Sequence, residues 1–516
     1  MTQTAAAPVP GSTPLLDNSY ARELDGAYVA WAPTAPPQPR AVRLNHALAA
    51  ELGLPDGWID SPEALAVLSG STVPDGAQPI AQAYSGHQFG SFSPLLGDGR
   101  AVLLGELDDV HGVRRDLAFK GSGRTPFSRG GDGKAALGPV LREYLMGEAM
   151  HALGIPTTRV LAAIATGEQV RRERVLPGAV LTRVAASHLR VGTFEFAARR
   201  DRDLLRRLAE YAIARHYPEL ATIEPDAERY LALLRAVIDR QTALIARWMG
   251  VGFIHGVMNT DNMTISGETI DFGPCAFVEA YDPRTAFSSI DHGGRYALGN
   301  QPAIAGWNLT RFAETLGPLI GDDRDVVVPQ LLAALEDVDT RYAHHWTAVL
   351  RAKLGLTAAD TDPDTGDAAA DRALGEDYLE LLRRYEVDFT LGWRGLVDLA
   401  AADDDRRLRD RFGPDGATAL AEWLGRWRDR LQRNGSGDTR GAVDLDAMRR
   451  ANPIYIPRNH RVEAALEAAV EHDDLAPFER LLAVLADPFT ERPDDAEFAE
   501  PAPTDVTATY RTFCGT

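Results

Sequence analysis

One short stretch, residues 255–273, carries two side chains that could hold a metal ion and a third that could take a proton. It reads HGVMNTDNMTISGETIDFG. Asn262 and Asp271 offer the amide and carboxylate oxygens that hard cations prefer. The residues between them alternate in character and turn at a Ser-Gly pair, which predicts a two-strand hairpin with both ligands at its ends. Asp261 places a further carboxylate next to the first ligand.

The order of these residues follows a protein-kinase catalytic loop and its DFG triplet, with one difference. Kinases hold magnesium with a loop Asn and the DFG Asp, and an Asp two residues after the loop His is the base. Asn262 lies seven residues after His255, as in kinases, but Val257 occupies the position of the base. A valine cannot accept a proton. The stretch therefore predicts a retained metal site and leaves Asp261 as the nearest base, with a low pKa beside a bound cation.

Two upstream charges fit the same pattern. Lys120 ends a predicted strand, and Glu143 lies on a predicted helix, 135–153, outside its apolar stripe. Taken singly, each is more often a solvated surface charge. Their separation of 23 residues, across a loop and into a helix, suits the strand-Lys and helix-Glu pair that positions phosphates in kinases. A plain hairpin with solvated polar ends and a structural role for His255 are the alternatives that involve no catalysis.

Glycines and arginines elsewhere could complete a phosphate site. Gly97 and Gly99 surround a turn that enters the predicted strand 101–106, where glycine lets the backbone approach a phosphate closely. Arg183 and Arg190 supply the side chain that makes forked contacts with phosphate. A simple surface location is an equally good interpretation of these two arginines.

Composition limits the classes of function. The 516 residues carry 74 acidic and 54 basic side chains, for a net charge of -20, which argues against a nucleic-acid-binding surface over the whole protein. Two cysteines exclude a disulfide scaffold. We find no apolar run long enough for a membrane span and no signal-peptide pattern, so a cytoplasmic protein is expected.

The predicted elements change in type along the chain. Strands at 101–106, 115–120, 158–166 and 178–184 surround the helix 135–153. Helices follow at 202–216, 226–249, 307–317, 326–354, 374–402, 416–432 and 459–485, with an acidic loop at 356–372. This order predicts an α+β fold with two lobes, as in protein kinases. The expected parts are a disordered N-terminus (1–14), an N-terminal extension that packs on the lobes and contains a helix over Arg43–Leu54 (15–79), a small lobe (80–195), and a helical large lobe with a C-terminal extension (196–516).

Beyond the kinase pattern, the chain resembles the selenoprotein O family, also called the YdiU family, of protein nucleotidyltransferases with a kinase-like fold. The matching stretches cover nearly the whole chain from about residue 15: YSGHQFG (84–90), LGDGRAVLLGE (96–106), the Lys120 strand with GGDGK, LTRVAASHLRVGTFEF (181–196), HGVMNTDNM (255–263), IDFGPCAF (270–277), DHGGRYALGNQP (291–302), NPIYIPRNH (452–460) and TFCGT (512–516).

The resemblance implies transfer of AMP from ATP, or UMP from UTP, to Ser, Thr or Tyr hydroxyls of proteins, with release of pyrophosphate. It implies a nucleotide inverted relative to ordinary kinases, so that the α-phosphate faces the acceptor. Asp261 would accept the proton, Asn262 and Asp271 would hold Mg²⁺ or Mn²⁺, and Glu143 would pair with Lys120. The implied nucleotide contacts are Gly97, Gly99, Arg100, Lys120, Asp132, Gly133, Arg183, Arg190 and Asp271.

Some relatives carry a selenocysteine where this chain has Cys514, and some pair it with a cysteine that aligns here with Phe287. Cys275 is the other thiol, so Cys514 and Cys275 are the candidates for a redox role. Two other functions remain open. An ordinary kinase that transfers the γ-phosphate is disfavoured by Val257. A catalytically inactive nucleotide-binding pseudokinase is disfavoured by the two retained metal ligands.

Overall fold

The computed structural model describes residues 14–356, 366–433 and 443–513. Nearly all of the segment predicted to be disordered, 1–14, lies outside these residues, as does Cys514. Strands dominate the first part of the described chain, and helices make up most of the rest. The predicted α+β class is therefore confirmed. Among the described residues, no helix combines the length and the apolar character that crossing a membrane would require.

Most of the described strands belong to one antiparallel sheet. Its order is β1-β3-β6-β7-β10-β9-β2, and β8 pairs with β10 outside this path. The pairs β4–β5 and β11–β12 form two small sheets. The strands are β1 Tyr28–Ala30, β2 Arg40–Leu44, β3 Ile80–Gln82, β4 Gly86–Gln88, β5 Ser91–Ser93, β6 Ala101–Asp108, β7 Arg114–Lys120, β8 Ala135–Ala136, β9 Arg159–Arg171, β10 Val175–Ala185, β11 Phe253–Ile254 and β12 Ala276–Phe277.

Helices cover both faces of the sheet and build the remainder of the molecule. They are α1 Ser19–Glu23, α2 His46–Glu51, α3 Pro62–Leu68, α4 Leu137–Ala152, α5 Val191–Arg200, α6 Arg202–His216, α7 Asp226–Val251, α8 Gln301–Ile320, α9 Arg324–Leu354, α10 Gly366–Arg384, α11 Phe389–Ala402, α12 Arg406–Arg433, α13 Leu445–Ala451, α14 Asn459–His472, α15 Ala476–Leu485, α16 Ala496–Ala499 and α17 Thr504–Thr509.

The alternation of apolar residues in the central strands divides the core in two. Leu103 and Ala118 face a large cluster that includes α4 and the helices that follow it. Leu104 and Phe119, the next residues along, face a second cluster that α2 and α3 cover. Successive residues of a strand point to opposite faces, so both faces of the sheet are buried. The sheet is thereby held between α4 on one side and the N-terminal helices on the other.

The prediction of a β-hairpin over residues 263–270 is wrong. Thr264 bridges to the backbone of Arg190, and Thr269 bridges to that of Thr157. Because their backbone groups bond to other segments, the two arms form no ladder with each other. Contacts with neighbouring parts of the chain therefore position the two ends of this stretch.

Several predicted helices have different bounds. The predicted helix 374–402 is α10 and α11, which are separated at Glu386, and 459–485 is α14 and α15, which are separated at Asp473. Both residues have a positive φ, of 51° and 50°. The first two residues predicted as helix over Arg43–Leu54 belong to β2, and Asn45 caps α2 by accepting the Leu48 N–H at 3.1 Å. In the predicted acidic loop 356–372, residues 357–365 lie outside the described chain and 366–372 begin α10.

Candidate active site

Four charged side chains meet between the sheet and α4. Lys120 Nζ lies 2.5 Å from Glu143 Oε2 and 2.6 Å from Asp271 Oδ1. Arg183 Nε lies 2.9 Å from Glu143 Oε1, and its Nη2 lies 2.5 Å from Asp271 Oδ1. Each carboxylate therefore accepts hydrogen bonds from both cations. We call these four side chains the charge cluster.

Strand register places the two cations on one face of the sheet. Lys120 ends β7 opposite Leu181 of β10, and Arg183 lies two residues further along β10. Alternate residues of a strand share a face, so Lys120 and Arg183 are diagonal neighbours. α4 packs on the same face and supplies Glu143, which is buried although it lies outside the predicted apolar stripe. A carboxylate tolerates such burial only when it is paired.

The charges of the cluster determine its protonation. Burial alone would raise the pKa values of Glu143 and Asp271, but the positive charges of Arg183 and Lys120 lower both pKa values. The two carboxylates are therefore ionised at neutral pH. They neutralise the two cations, and a bound triphosphate would compete with them for the same N–H groups.

Asp271 and Asn262 each keep an oxygen for another ligand. Both cationic contacts of Asp271 go to Oδ1. Asn262 Nδ2 donates to the Val257 carbonyl at 2.9 Å, which leaves Oδ1 as the open acceptor of the amide. Asp271 has a φ of 65°, a left-handed conformation that non-glycine residues seldom adopt, and such strain is frequent at functional sites. His255 has the expected structural position, with Nε2 2.9 Å from the carbonyl before Asp271.

Asp261 lies in a single turn of 3-10 helix, Thr260–Asn262, directly before the amide. Its Oδ1 is buried and has no hydrogen-bond partner within the described residues. Burial raises the pKa of Asp261 to about 6. The low pKa expected beside a bound cation does not hold for the protein alone, because there burial dominates. A buried carboxylate oxygen without a donor is costly when charged, in agreement with the raised pKa of Asp261.

The YSGHQFG stretch, for which the sequence predicted no role, supports the same turn. His87 N donates to Thr260 Oγ1 at 2.7 Å, and the Thr260 hydroxyl donates to Glu195 Oε2 at 2.6 Å. His87 Nδ1 lies 2.5 Å from Glu195 Oε1. These contacts hold the residue before Asp261 from two sides. In the sequence, only the YSGHQFG motif itself indicated these contacts.

Gly86, in the same stretch, leaves space for the candidate base. A Cβ atom at this position would lie 2.5 Å from Asp261 Oδ1 and 2.6 Å from a methyl group of Leu96. Neither neighbour leaves space for a side chain larger than hydrogen. The approach of β4 to the Asp261 carboxylate therefore requires glycine.

Arg190 is a buried cation that differs from Arg183 in its partners. Its guanidinium carbon lies 4.6 Å from the centre of the Tyr84 ring, and its Nη1 donates to the His188 carbonyl at 3.0 Å. Its Nε is buried and has no partner within the described residues. Burial opposes the charged form, but Tyr84 and the nearby Asp98 raise the pKa of Arg190. The side chain thus remains a cation that can still bind an anion.

The predicted glycine turn packs tightly on a neighbouring segment. Gly97 has a φ of 64°, and a Cβ there would lie 2.4 Å from the Phe127 ring. A Cβ at Gly99 would lie 3.0 Å from the Phe127 carbonyl oxygen. The Arg100 carbonyl accepts the Gly121 N–H at 2.7 Å. The turn is therefore fixed at the entrance to β6, and its glycines are required by close packing.

Asp132 and Gly133 belong to a separate turn. Asp132 Oδ2 lies 2.9 Å from Arg172 Nη1, and its Oδ1 accepts the Lys134 N–H at 3.0 Å. A Cβ at Gly133 would lie 2.1 Å from the Gly123 carbonyl oxygen. Neither residue contacts the charge cluster in the described chain.

Cys275 has the properties of a buried apolar residue. Its thiol is fully buried and donates to the Phe272 carbonyl at 3.3 Å. Burial raises the pKa of Cys275 to about 11, so the reactive thiolate is scarce at neutral pH. Phe287, at the position of the relatives' cysteine, packs on Tyr510 with ring centres 5.6 Å apart. These features disfavour a redox role for Cys275.

Two protein oxygens are available for a cation at this site. Across the described residues, no group of three or more His, Cys, Asp or Glu side chains could hold a metal ion. Asn262 and Asp271 supply one amide and one carboxylate oxygen. Mg²⁺ is commonly bound by one or two carboxylates together with substrate phosphates. The two residues fit that mode, with the remaining ligands from a nucleotide and water.

Comparisons with known sequences show which proteins this chain is similar to. A sequence model described as "Protein adenylyltransferase SelO" matches residues 17–486. A "Protein nucleotidyltransferase YdiU" from Cereibacter sphaeroides is 60% identical over 503 residues, which are 97% of this chain and 99% of the relative. Relatives with the same name from Rhodopseudomonas palustris (54% over 502 residues, 97% and 99%) and Bradyrhizobium (55% over 500 residues, 97% and 98%) are similar along their whole length.

Proposed function

Because this chain belongs to the family of protein adenylyltransferase SelO, it is an enzyme, and we propose that it transfers AMP from ATP to Ser, Thr or Tyr hydroxyls of proteins. Pyrophosphate is the other product. The proposal includes UMP transfer from UTP as a second reaction of the same site. The observation that supports it best is the charge cluster, in which Lys120 and Arg183 both contact Asp271, whose charge also acts on the buried carboxylate of Asp261.

The roles of the cluster follow from its charges. When a triphosphate binds, Lys120 and Arg183 bind phosphate oxygens, and Glu143 keeps both cations in position. Arg190 adds a buried guanidinium that no carboxylate pairs with in the described chain. Charge-assisted hydrogen bonds from Arg and Lys are the strong ones for phosphate. We propose that the fold that positions these cations is kinase-like and has two lobes.

Asp261 acts on the acceptor. Its carboxylate accepts a hydrogen bond from the acceptor hydroxyl, orients that oxygen toward the α-phosphorus, and takes the proton as the new P–O bond forms. Pyrophosphate leaves with the electron pair of the broken P–O bond. Asn262 and Asp271 would hold Mg²⁺ or Mn²⁺, which when bound neutralises charge on the phosphate oxygens. Gly97, Gly99, Arg100, Asp132 and Gly133 are proposed to contact the remainder of the nucleotide.

The nucleotide is proposed to bind inverted relative to ordinary kinases. The β- and γ-phosphates of an inverted nucleotide carry most of the charge into the cleft, where the buried Arg183 and Arg190 can neutralise it. The α-phosphate then faces Asp261. Val257, at the position of the kinase base, supports this reaction over γ-phosphate transfer because its side chain cannot take a proton.

The position of the label distinguishes the three reactions. ATP labelled at the α-phosphate and ATP labelled at the γ-phosphate are incubated in parallel with enzyme, Mg²⁺ or Mn²⁺ and a protein mixture. We expect only the α-label on protein. Label from the γ-position alone would show an ordinary kinase, and no label from either would show an inactive nucleotide-binding protein. Asp271→Ala should abolish transfer and serves as the background control, because it removes the carboxylate ligand of the cation.

A further inference from the structure

A group of aromatic rings and arginines lies beside the turn that carries Asp261. The β4–β5 hairpin contacts this turn through His87 N and approaches the Asp261 carboxylate at Gly86. On the same hairpin, the rings of His87 and Phe92 lie 4.9 Å apart. We call the following residues the arginine–aromatic patch: His87, Phe92, Arg199, Arg295, Trp307 and Arg311.

Stacking connects the members of the patch. The Arg199 guanidinium lies 4.0 Å from the centre of the Phe92 ring. The ring of Trp307 lies 5.2 Å from His87, and Arg295 and Arg311 lie 5.0 Å and 5.3 Å from the same indole. A guanidinium that stacks on a ring keeps its N–H edge free for a carboxylate. The patch thus presents cationic edges from a rigid aromatic base.

Two of its arginines form no ion pair within the described residues. Arg311 pairs with Glu314 at 2.7 Å. Neither Arg199 nor Arg295 has an acidic side chain within ion-pair distance among the described residues, and Arg295 Nε is buried without a hydrogen-bond partner. Most arginines of this protein, whose net charge is -20, pair with one of its many carboxylates. The patch therefore places two cations without an ion pair beside the candidate base, in a molecule whose net charge is -20.

We propose that the arginine–aromatic patch binds carboxylates of the acceptor protein next to the hydroxyl that is modified. This rests on the proposed function and names its substrate class: Ser, Thr or Tyr residues with Asp or Glu near them in sequence. The distribution of charge favours this occupant, since an acidic segment would be repelled by much of the molecular surface and attracted here. Bidentate carboxylate–Arg pairs then fix the segment relative to Asp261.

The experiment uses three peptides that share one serine and differ only in the flanking residues, which are aspartate, asparagine or lysine. Transfer of α-labelled AMP is measured as kcat/KM for the wild type and for the double variant Arg199→Glu, Arg295→Glu. We expect the wild type to prefer the aspartate peptide over the asparagine peptide by at least tenfold. The double variant should lose that preference and accept the lysine peptide better than the wild type does.

Controls separate the patch from the chemistry. Arg235→Glu, which reverses an exposed arginine of α7, should leave the order of the peptides unchanged. Nucleotide affinity measured by calorimetry should be equal in all three proteins. The gain for the lysine peptide cannot arise from misfolding. Equal use of the three peptides by the wild type, labelling of other proteins but of none of the peptides, or an unchanged preference in the double variant would overturn the inference. Absence of α-label on any protein would instead count against the proposed function.

Discussion

At the scale of single residues, Asp261 is the side chain on which turnover should depend most. Its Oδ1 has no donor within the described chain, so it does not serve to cap the turn through that atom. Asp261→Asn keeps the shape and removes the basicity. General-base assistance contributes about 10²–10⁴ in rate, and we expect kcat to fall by that factor. Nucleotide affinity should be nearly intact.

The measurement is single-turnover transfer of α-labelled AMP together with calorimetric nucleotide binding. Asn259→Asp, in the same loop, is an unsuitable control because Asn259 accepts two hydrogen bonds. Asp282, which is half-buried and pairs with Arg284, provides a matched control in Asp282→Asn. If Asp261→Asn turns over at the wild-type rate, the base role is excluded.

The two buried arginines should respond differently to removal. Arg190→Ala deletes a guanidinium that pairs with no carboxylate in the described chain, so the main loss should be nucleotide affinity, by about 1.5–3 kcal/mol. Arg183→Ala should lose similar affinity and also stability, because Glu143 and Asp271 lose one of their two cations. Calorimetry and urea unfolding of both variants test this contrast, with the exposed Arg247→Ala as control. Unchanged affinity in both would contradict the phosphate clamp.

At the scale of elements, the hairpin β4–β5 and the Thr260–Asn262 turn should act as one unit. Gly86→Ala puts a methyl group 2.5 Å from Asp261 Oδ1 and 2.6 Å from Leu96, so the turn or the hairpin must move. We expect at least a tenfold loss of kcat with little change in nucleotide affinity. Gly425→Ala, in helix α12 with no atom within 4 Å of the added carbon, is the matched control and should leave kcat unchanged. Equal activity of both variants would show that the contact is unimportant.

Lys353, near the end of α9, should make the free energy of unfolding depend on pH. Lys353 is buried beneath the Phe389 and Trp393 rings, and its Nζ donates to the Ala451 carbonyl at 3.1 Å. Burial lowers the pKa of Lys353 to about 7. Between that value and the ordinary pKa of about 10.4, the unfolded chain binds more protons than the folded chain, so stability rises with pH.

The contribution of Lys353 to the free energy of unfolding rises by at most about 1.4 kcal/mol for each pH unit. It is present in full above the unfolded pKa and is lost as the pH falls toward 7. Lys353→Met removes the titrating group and should flatten urea-unfolding stability across pH 7–10 relative to the wild type. Parallel pH profiles for the two proteins would contradict a neutral buried lysine.

Sequence patterns predicted the elements whose signals are local. Helix 202–216 and the strands that became β6 and β7 follow from apolar periodicity, and their bounds agree closely with the structure. The breaks at Glu386 and Asp473 were missed because the left-handed residues there are not glycine, although Pro477 at the start of α15 was a signal for the second break. The prediction of a hairpin over residues 263–270 was wrong because the backbone groups of this stretch pair with distant segments of the chain. The Lys120–Glu143 pair was predicted, whereas the contact of Arg183 with both carboxylates needed the strand register.

At the scale of the whole molecule, one buried arginine joins the C-terminal region to the segment that follows Asp271. Arg458 is fully buried, and its Nη1 lies 2.5 Å from Glu279 Oε2 and 2.7 Å from Asp388 Oδ2. Its Nη2 donates to the Ala499 carbonyl at 2.6 Å. Glu279 follows β12, Asp388 caps α11, and Ala499 ends α16. Residues far apart in the chain therefore share one cation.

Arg458→Met should destabilise the fold more than any single surface change. Removal of one partner from a buried ion pair costs about 3–5 kcal/mol, because the remaining carboxylates stay buried without a counter-charge. We expect a loss of that size in urea unfolding, and loss of transfer activity only in proportion to the unfolded fraction. Arg284→Met, which breaks the exposed pair with Asp282, should cost less than about 1 kcal/mol. A double variant, Arg458→Met with Asp388→Asn, should recover part of the stability, since it removes one of the two unpaired charges. If Arg458→Met were as stable as the wild type, the C-terminal region would be attached by its apolar contacts alone, and the shared cation would have no role in holding it.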